Sequence, residues 1–386
     1  MLWINFLHLY QPVNTDGHVI KEATEMSYLR LIRALEEHPQ IKFTFNITGC
    51  LFLRWEELGY QDLIKRLNKL VLDGQLELTG SAAYHALLPL IPKEETIRQI
   101  KENEEILKKH FGKNFKPEGF FLPEMAYSAD VAKLIKRLGY KWLILDEITY
   151  NGRLDQIDFN KIYQDENSDL KIIFRSRKDS KCYVPELILK KLKEKNNDIS
   201  ITATDGELYG LRHIDHTAEF EKVLKEKNLK TKTISEFINN QTEPILFSAI
   251  NSTWESLEDE LKNNLPYALW FDKKNKIQKK LWEFANSAYK IVEENKKDDN
   301  YSWARWHLVR GFASCTFWWA SAKDFRLFGP ISWSPDEIER GLNEFIRAIR
   351  ALDDITTKKI KIKSEKIYIK LKKMVWTKHW NYYWKK

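Results

Sequence analysis

Short apolar runs alternate with segments of helical periodicity along the first half of the chain. The runs are rich in β-branched and aromatic residues, as buried strands are, and the segments between them repeat apolar residues every three or four positions. This alternation favours a parallel sheet, wound as a barrel or as an open sheet. The predicted strands are Leu2–Leu7, Lys42–Ile47, Gln75–Leu78, Glu118–Leu122, Trp142–Leu145, Lys171–Arg175 and Ile199–Ala203, and the predicted helices include Tyr28–Glu37, Tyr60–Leu72, Lys93–Phe111 and Ala129–Leu138.

Helical spacing dominates after about residue 210. Ser334 is well placed as an N-cap, because the following Pro335 suits a first helical turn. By contrast, Lys361–Leu371 alternates lysine with apolar residues, and this period of two predicts an amphipathic strand or a sheet edge. The helices predicted in this half are Ala218–Lys227, Ile277–Glu294, Ser302–Trp319 and Pro335–Leu352.

The seven strands fall one short of the eight in a standard βα barrel. The chain is therefore predicted to be an α/β protein with a distorted (β/α)7 barrel and an appended C-terminal helical region. We expect the catalytic barrel over residues 1–250, a helical region that completes the cleft over 251–357, and a basic segment over 358–386.

Composition narrows the class of protein. With 43% apolar residues and 14 Trp, the chain is not a disordered one. No apolar run approaches the roughly 18 residues of a membrane span. Three dispersed Cys suit neither a disulfide scaffold nor a Cys-rich zinc site. The first seven residues read as a strand and not as a leader, so a reduced, cytoplasmic protein is expected.

The basic charge is concentrated in the last segment. The chain carries a net +8, but residues 358–386 contain 11 Lys against Glu365 alone, so the first 357 residues carry a net −2. A nucleic-acid enzyme would more often place its positive charge around the working cleft. The segment is interpreted as a solvated face, with contact to an anionic partner as the alternative, and no nucleic-acid substrate is expected.

Reactive side chains follow four of the predicted strands. In a parallel βα array the carboxyl ends of the strands meet at one rim, where reactive groups collect. Glu124 or Asp205 taken alone is an ordinary loop or turn residue, but two carboxyl groups at one rim are the working parts of glycoside hydrolysis. The four stretches are His8-Leu-Tyr-Gln-Pro12, Thr79–His85, Pro123-Glu124-Met125 and Thr204-Asp205-Gly-Glu207.

Histidines and tryptophans supply the other candidates. His8 and His85 could ligate a metal together with His213 or His216, but Tyr10 is a poor ligand, so hydrogen bonding to a polar ligand is favoured and no metal or cofactor is expected. Eleven of the 14 Trp fall between residues 254 and 384. Most are assigned to the core, and Trp254, Trp318 and Trp319 are candidates to stack on sugar rings.

Taken together, these stretches resemble glycoside hydrolase family 57. His8–Pro12 is similar to the family motif His-X-His-Gln-Pro, with Tyr10 at the second His, and Thr79–Pro92 resembles its next segment. Phe120-Phe-Leu-Pro-Glu124 resembles the segment of the nucleophile, and Thr204–Gly210 that of the acid/base. The later matches are Thr253–Glu255 with Leu269-Trp270, and Trp318-Trp319 to Asp324.

The resemblance implies a retaining enzyme that acts on α-glucans such as maltooligosaccharides, either an α-amylase-type hydrolase or a 4-α-glucanotransferase. It assigns Glu124 as nucleophile and Asp205 as general acid/base. Tyr10 bears on subsite preference, since a tyrosine can still donate a hydrogen bond and stack on a sugar. The implied substrate contacts are His8, Tyr10, Gln11, His85, Glu207, Trp254, Trp319 and Asp324.

Two alternatives stay open at this point. A metal-dependent carbohydrate deacetylase on a similar barrel would need an Asp and two His as ligands, with His8, His85 and Asp205 as donors. A catalytically silent glycan-binding protein would keep the tryptophans and bind without turnover.

Overall fold

The chain forms two compact units in the structure, which is a computed structural model. It describes residues 1–113, 115–194, 198–239, 243–323 and 331–383. The first unit contains Met1–Ala83 and Pro92–Glu258, and the second contains Tyr84–Ile91 and Asp259–Lys386.

A barrel of parallel strands organises the first unit. Seven strands, in the order β1-β2-β3-β4-β5-β7-β8, return to β1, and each of them overlaps one of the seven predicted strands. The predicted distorted (β/α)7 barrel is thus confirmed. The seven are β1 Leu2–Leu9, β2 Phe43–Ile47, β3 Leu76–Leu78, β4 Gly119–Phe120, β5 Trp142–Asp146, β7 Lys171–Arg175 and β8 Ile199–Asp205.

Two sparse junctions close the barrel. Gly80 bridges Phe120 between β3 and β4. Between β7 and β8, the Ser176 N–H donates to the Ile201 carbonyl at 2.9 Å. The interior is filled by buried apolar side chains from β1, β5, β7 and β8. Short strands and weak junctions make the barrel irregular while keeping all carboxyl ends at one rim.

The sequence pattern missed three short strands. β6 runs antiparallel to β7 and pairs with β10, and β9 pairs with β1. They lie at the periphery of the sheets, and β10 exposes Leu246, so they lack the continuous apolar run of a central strand. They are β6 Tyr163–Asp165, β9 Lys230–Thr231 and β10 Ile245–Phe247.

Helices connect the barrel strands. Their buried faces carry apolar residues at helical spacing, such as Leu31, Ile32 and Leu35 in α2. A π-helical turn, Thr24–Tyr28, joins the first two helices. The helices are α1 Gly17–Ala23, α2 Leu29–Glu37, α3 Gly49–Glu57, α4 Gln61–Leu72, α5 Lys93–Phe111, α6 Ala129–Arg137, α7 Arg177–Ser180, α8 Val184–Lys193, α9 Glu219–Leu224 and α10 Ile234–Asn239.

The second unit is helical. Ser334 caps α15, since its hydroxyl accepts from the Glu337 N–H at 3.4 Å, as predicted. The single helix expected over Ser302–Trp319 is wrong, because Ala313 adopts an extended backbone and pairs with Ala86, which splits it. Beginning with α11 at the unit boundary, the helices are α11 Glu258–Lys262, α12 Lys276–Glu294, α13 Tyr301–Gly311, α14 Ser314–Trp318, α15 Pro335–Ala351 and α16 Asp354–Tyr383.

The strand predicted over Lys361–Leu371 is also wrong, because this segment lies within α16. Among the described side chains of α16, the buried ones are Thr357, Ser364, Leu371 and Val375, which recur at intervals of seven and four positions and so share one face of a helix. Alternating lysines and isoleucines produced the period of two, yet Ile362 and Ile369 are exposed. Burial was therefore set by packing against neighbouring helices rather than by this alternation. No helix in the described ranges is both long and apolar enough to cross a membrane.

Candidate active site

Two adjacent strands place Asp205 beside His8. β1 and β8 run parallel with His8 opposite Asp205, and β2 brings Asn46 opposite His8 on the other side. Both strands have ended by residue 10 on β1 and residue 206 on β8, so the two side chains lie at the carboxyl rim of the barrel. The predicted convergence of these two residues is a direct result of strand register.

His8 is a buried, neutral imidazole. Its Nδ1 lies 2.9 Å from Asn46 Oδ1, and the Asn46 amide donates to Thr79 Oγ1 at 3.2 Å. Since the amide oxygen accepts, Nδ1 carries the proton and Nε2 carries the lone pair. Burial lowers the pKa of His8 to about 4, against the opposing charge of Asp205. At neutral pH this ring is a hydrogen-bonding group without charge.

Asp205 is paired with an arginine from the loop that follows β8. Its Oδ2 lies 2.8 Å from Arg212 Nη1, with 16% of the Asp205 side chain and 28% of the Arg212 side chain exposed. The loop also passes close to the π-helical turn, because a Cβ at Gly210 would lie 2.1 Å from the Met26 carbonyl. Only a glycine fits there, and this close approach helps to fix the position of Arg212.

Glu207 is held inside the rim. Its Oε1 accepts from Gln11 Nε2 at 2.6 Å and from the Tyr28 hydroxyl at 2.5 Å. Burial raises the pKa of Glu207, the positive charge of Arg212 opposes the rise, and the charge of Asp205 adds to it. Gln11 and Glu207 therefore form one polar network behind Asp205.

Glu124 lies in a strained turn. Pro123–Met125 form a single 3-10 turn after β4, and Glu124 adopts φ 61° and ψ 16°. This left-handed conformation costs a non-glycine residue roughly 1–3 kcal/mol, and such strain clusters at functional sites. The turn directs the Glu124 side chain to a half-buried position, with Pro123 and Met125 buried on either side.

Trp254 contacts both Glu124 and His8, the residue opposite Asp205. Its indole Nε1 donates to Glu124 Oε2 at 3.0 Å, and its backbone N–H donates to the Glu124 carbonyl at 3.1 Å. The same indole meets the His8 ring edge to face at 6.1 Å between centroids, and His8 is the register partner of Asp205. Glu124 and Asp205 thus belong to one continuous cluster, with Tyr10 stacked on His8 at 5.8 Å.

A buried ionic cluster that the sequence analysis did not identify lies beneath this site. Asp146 pairs with Arg175 at 2.7 Å and with Arg177 at 2.6 Å. Arg175 also donates to the carbonyls of Ala203 and Trp254, at 2.9 and 3.0 Å. The sequence signal was present, since Asp146 and Arg175 end apolar strands, but neither was among the predicted site residues.

Two of the remaining predicted contacts lie in the second unit. His85 and Trp319 belong to the second unit, where His85 Nδ1 lies 2.9 Å from Ser314 Oγ and Trp319 packs against Trp318. His85 also has a left-handed backbone, with φ 55°. Asp324 lies outside the described residues.

The histidines after Asp205 take other roles. His213 stacks on Tyr183, with 3.8 Å between ring centroids, and His216 is exposed. Within the part of the chain that the structure describes, no group of three or more His, Cys, Asp and Glu side chains is arranged to hold a metal ion. The ligand set that a deacetylase would need is thus not found among the described residues.

Comparison with known proteins places the chain in a family. The protein-family model described as glycosyl hydrolase family 57 matches residues 4–249 of this chain. The α-amylase of Pyrococcus abyssi is 26% identical over 233 residues, which are 57% of this chain and 35% of that protein. The 4-α-glucanotransferase of Thermococcus litoralis is 26% identical over 253 residues, 62% of this chain and 38% of that protein. The chain therefore spans little more than a third of these relatives.

Solved structures share the fold. The 4-α-glucanotransferase of Thermococcus litoralis superposes with a TM-score of 0.73 and 18% identity, over 92% of this chain and 60% of that one. A branching enzyme from Thermococcus kodakaraensis, in complex with glucose and additives, gives a TM-score of 0.70 and 16% identity, over 96% and 94% of the two chains. At these identities the likeness concerns the fold alone.

Proposed function

The chain belongs to glycosyl hydrolase family 57, and on that basis we propose that it is a retaining enzyme that acts on α-1,4-linked glucans. Glu124 is the nucleophile and Asp205 the general acid/base. The acceptor is water in an α-amylase-type reaction and a second sugar in a 4-α-glucanotransferase reaction. The relatives named as an α-amylase and a 4-α-glucanotransferase support this substrate class.

One observation carries the proposal. Two partly exposed carboxylates at the barrel rim are tied to each other through Trp254 and His8, although 80 residues separate them along the chain. A site built for glycoside hydrolysis requires two carboxyl groups on one linkage. Neutral His8 adds no charge between them at neutral pH, because burial lowers its pKa to about 4.

The chemistry proceeds in two displacements. Glu124 attacks the anomeric carbon while Asp205 gives its proton to the departing oxygen, which leaves a glycosyl ester on Glu124. Asp205 then takes a proton from water or from a sugar hydroxyl, and that oxygen replaces Glu124 at the anomeric carbon. Two inversions retain the α configuration.

Aromatic rings around the carboxylates suit a sugar substrate. Tyr10, His8 and Trp254 form a chain of ring contacts, and Tyr10 and Trp254 are half-buried. Aromatic faces pack well against the apolar faces of pyranose rings, and an indole N–H or phenol O–H can also donate to a sugar oxygen. We assign these three residues, with Gln11 and Glu207 behind them, to the sugar subsite nearest the reaction. His85, Trp319 and Asp324 stay as predicted contacts elsewhere on the substrate.

Azide rescue tests the two assignments separately. With an aryl α-maltoside, Glu124→Gly should be inactive until azide is added, and azide attack from the vacated face should then give a β-glycosyl azide. Asp205→Gly should instead form the glycosyl-enzyme and give the α-glycosyl azide. Glu255→Gln is the matched control, since Glu255 is adjacent to Trp254 but pairs with Lys181 on the surface. Wild-type turnover by Glu124→Gly without azide would contradict the proposal.

Product analysis separates hydrolysis from transfer. After incubation with maltoheptaose, chromatography should show products longer than seven glucoses for a transferase and only shorter ones for a hydrolase. Binding of maltoheptaose without any turnover would identify a silent glycan-binding protein. Glu124→Gln should then bind the sugar with unchanged affinity, and the proposed reaction would be refuted.

A further inference from the structure

We propose that Arg175 is a positioning residue that fixes both carboxylates of the site relative to each other. The inference rests on the function proposed above and extends it to a residue that would contact neither substrate nor reacting atom. It starts from three fixed hydrogen bonds of one buried guanidinium, which end on three different segments of the first unit.

The first bond fixes Arg175 itself. Its Nε donates to Asp146 Oδ2 at 2.7 Å, and both side chains are almost entirely buried. Arg177 also donates to both oxygens of Asp146, so two cations share one carboxylate. A buried charge that lost a partner here would be costly, which makes the orientation of Arg175 strongly determined.

The second and third bonds reach toward the two carboxylates. Arg175 Nη1 donates to the Ala203 carbonyl on β8, two residues before Asp205. Its Nη2 donates to the Trp254 carbonyl at 3.0 Å, and the guanidinium lies 5.1 Å from the centroid of the Trp254 ring. Trp254 in turn donates twice to Glu124, from its indole and from its backbone. One rigid planar group thus braces the strand of Asp205 and the partner of Glu124 together.

The spacing of the two carboxyl groups decides whether a glycosidase retains or inverts configuration, and about 5 Å suits retention. A misplacement of about 1 Å can lower the rate about 100-fold. Loosening Arg175 should therefore slow the chemical step more than it weakens substrate binding. It should also weaken the indole donor to Glu124, so that this carboxylate takes up a proton more readily.

The chain offers a matched pair of variants. Arg175→Lys keeps a cation beside Asp146, but a single ammonium cannot serve Asp146, Ala203 and Trp254 in the same geometry. Arg177→Lys changes an equally buried arginine on the same carboxylate, whose Nη1 donates to the Ser256 carbonyl instead. We expect similar losses in thermal midpoint for both variants. Arg175→Lys alone should lower kcat about 10- to 100-fold, with KM within about threefold.

The pH profile adds a readout that lost stability would not move. In Arg175→Lys and in Trp254→Phe the acidic limb of kcat/KM should rise by about one pH unit, because the carboxylate loses its indole donor or holds it less well. In the double variant that carries both Arg175→Lys and Trp254→Phe, the two shifts of the acidic limb should not add, since both substitutions act through the same indole. Arg177→Lys should keep the wild-type limb.

Three results would overturn the inference. The first is an equal loss of kcat in Arg175→Lys and Arg177→Lys with the acidic limb of kcat/KM unchanged in both. The second is additive shifts of that limb in the double variant, and the third is a wild-type acidic limb in Trp254→Phe. The third result can overturn the inference even if Arg175→Lys does not fold, because it needs only Trp254→Phe. Full activity of Glu124→Gln would instead refute the proposed function. An inactive Glu124→Gln beside wild-type limbs in the other variants would refute only the role of Arg175.

Discussion

Glu124 accepts a hydrogen bond from a neutral indole and stands in a left-handed turn, whereas Asp205 pairs with a guanidinium at the end of a regular strand. On the Glu124 side, the partner Trp254 is held again by its own backbone and by a buried arginine. On the Asp205 side, the partner Arg212 comes from a surface loop and keeps 28% of its side chain exposed.

The difference is what the two proposed chemical roles would require. A nucleophile has to be held at one position and one orientation, and a rigid indole donor and a strained turn can do this. A group that donates a proton and takes it back needs a partner that binds it only weakly, and a partly exposed cation screened by solvent is such a partner. The structure thus offers a physical distinction between the two carboxylates that the order of motifs does not contain.

The largest expected effect is the loss of activity when either carboxylate is replaced, and substrates with different leaving groups distinguish the two replacements. Glu124→Gln and Asp205→Asn should each lose roughly three orders of magnitude in kcat/KM on maltoheptaose, because each removes an essential step. On an aryl α-maltoside, whose phenolate leaves without protonation, Asp205→Asn should recover much of its first step while Glu124→Gln should not. Steady-state and burst kinetics measure this, and equal behaviour of the two variants on both substrates would remove the distinction.

The next largest effect is expected for Arg212→Ala, which removes the cation paired with Asp205. Without the guanidinium, Asp205 loses its fixed orientation and buried Glu207 loses a compensating positive charge. We expect kcat/KM to fall about 10- to 100-fold and Arg212→Lys to recover part of it. Raising the salt concentration should move the wild-type rate toward that of Arg212→Ala, because the ion pair is partly exposed. A rate in Arg212→Ala equal to wild type would show that the pair has no catalytic part.

His8 gives a pH-dependent effect on stability. Its pKa is about 4 in the folded chain and 6.5 as a model value, so the unfolded chain binds a proton that the folded one does not between these values. The folded state should therefore lose up to about 3 kcal/mol from this residue as the pH falls from 6.5 to 4, with no further loss below.

Urea denaturation of His8→Gln and of the wild type over this pH range isolates that contribution. The exposed His18 provides the control as His18→Gln. The difference in the free energy of unfolding between wild type and His8→Gln should narrow as the pH falls from 6.5 to 4, and it should narrow more than that between wild type and His18→Gln. Parallel curves for all three proteins would contradict a buried, neutral His8.

The smallest effect is expected beside Trp254. Glu255→Gln removes a pair with Lys181 whose side chains are 23% and 47% exposed. Such a surface pair contributes within about 0.5 kcal/mol, so stability and kcat/KM should stay close to wild type. A large loss in either quantity would show that the Glu255 carboxylate contributes to the site.

The barrel strands were predictable from sequence because each is an apolar run bounded by turns. Asp205, Glu124, His8 and Gln11 were predictable as candidates for the same reason, since each follows such a run. What the pattern did not contain was their pairing. The register of β1 against β8 and the hydrogen bond from Trp254 to Glu124 depend on contacts between segments that lie 197 and 130 residues apart along the chain.

Arg175 and α16 show two further limits. Asp146 and Arg175 each end an apolar strand, but no sequence pattern pairs one with the other, so their interaction could not be predicted. In α16, lysines and isoleucines alternate over a helix whose buried face is half polar, with Thr357 and Ser364 beside Leu371. Tertiary packing overrode the local period there, as it often does for β patterns.

Trp254 lies five residues beyond the family match, which ends at residue 249. A fragment or chimera cut at that boundary would retain Glu124, Asp205 and every barrel strand. It would nevertheless lack Trp254, and with it the indole that donates to Glu124 and the carbonyl that accepts from Arg175. Anyone transplanting this barrel into another scaffold should carry the chain through Glu258, where the first unit ends.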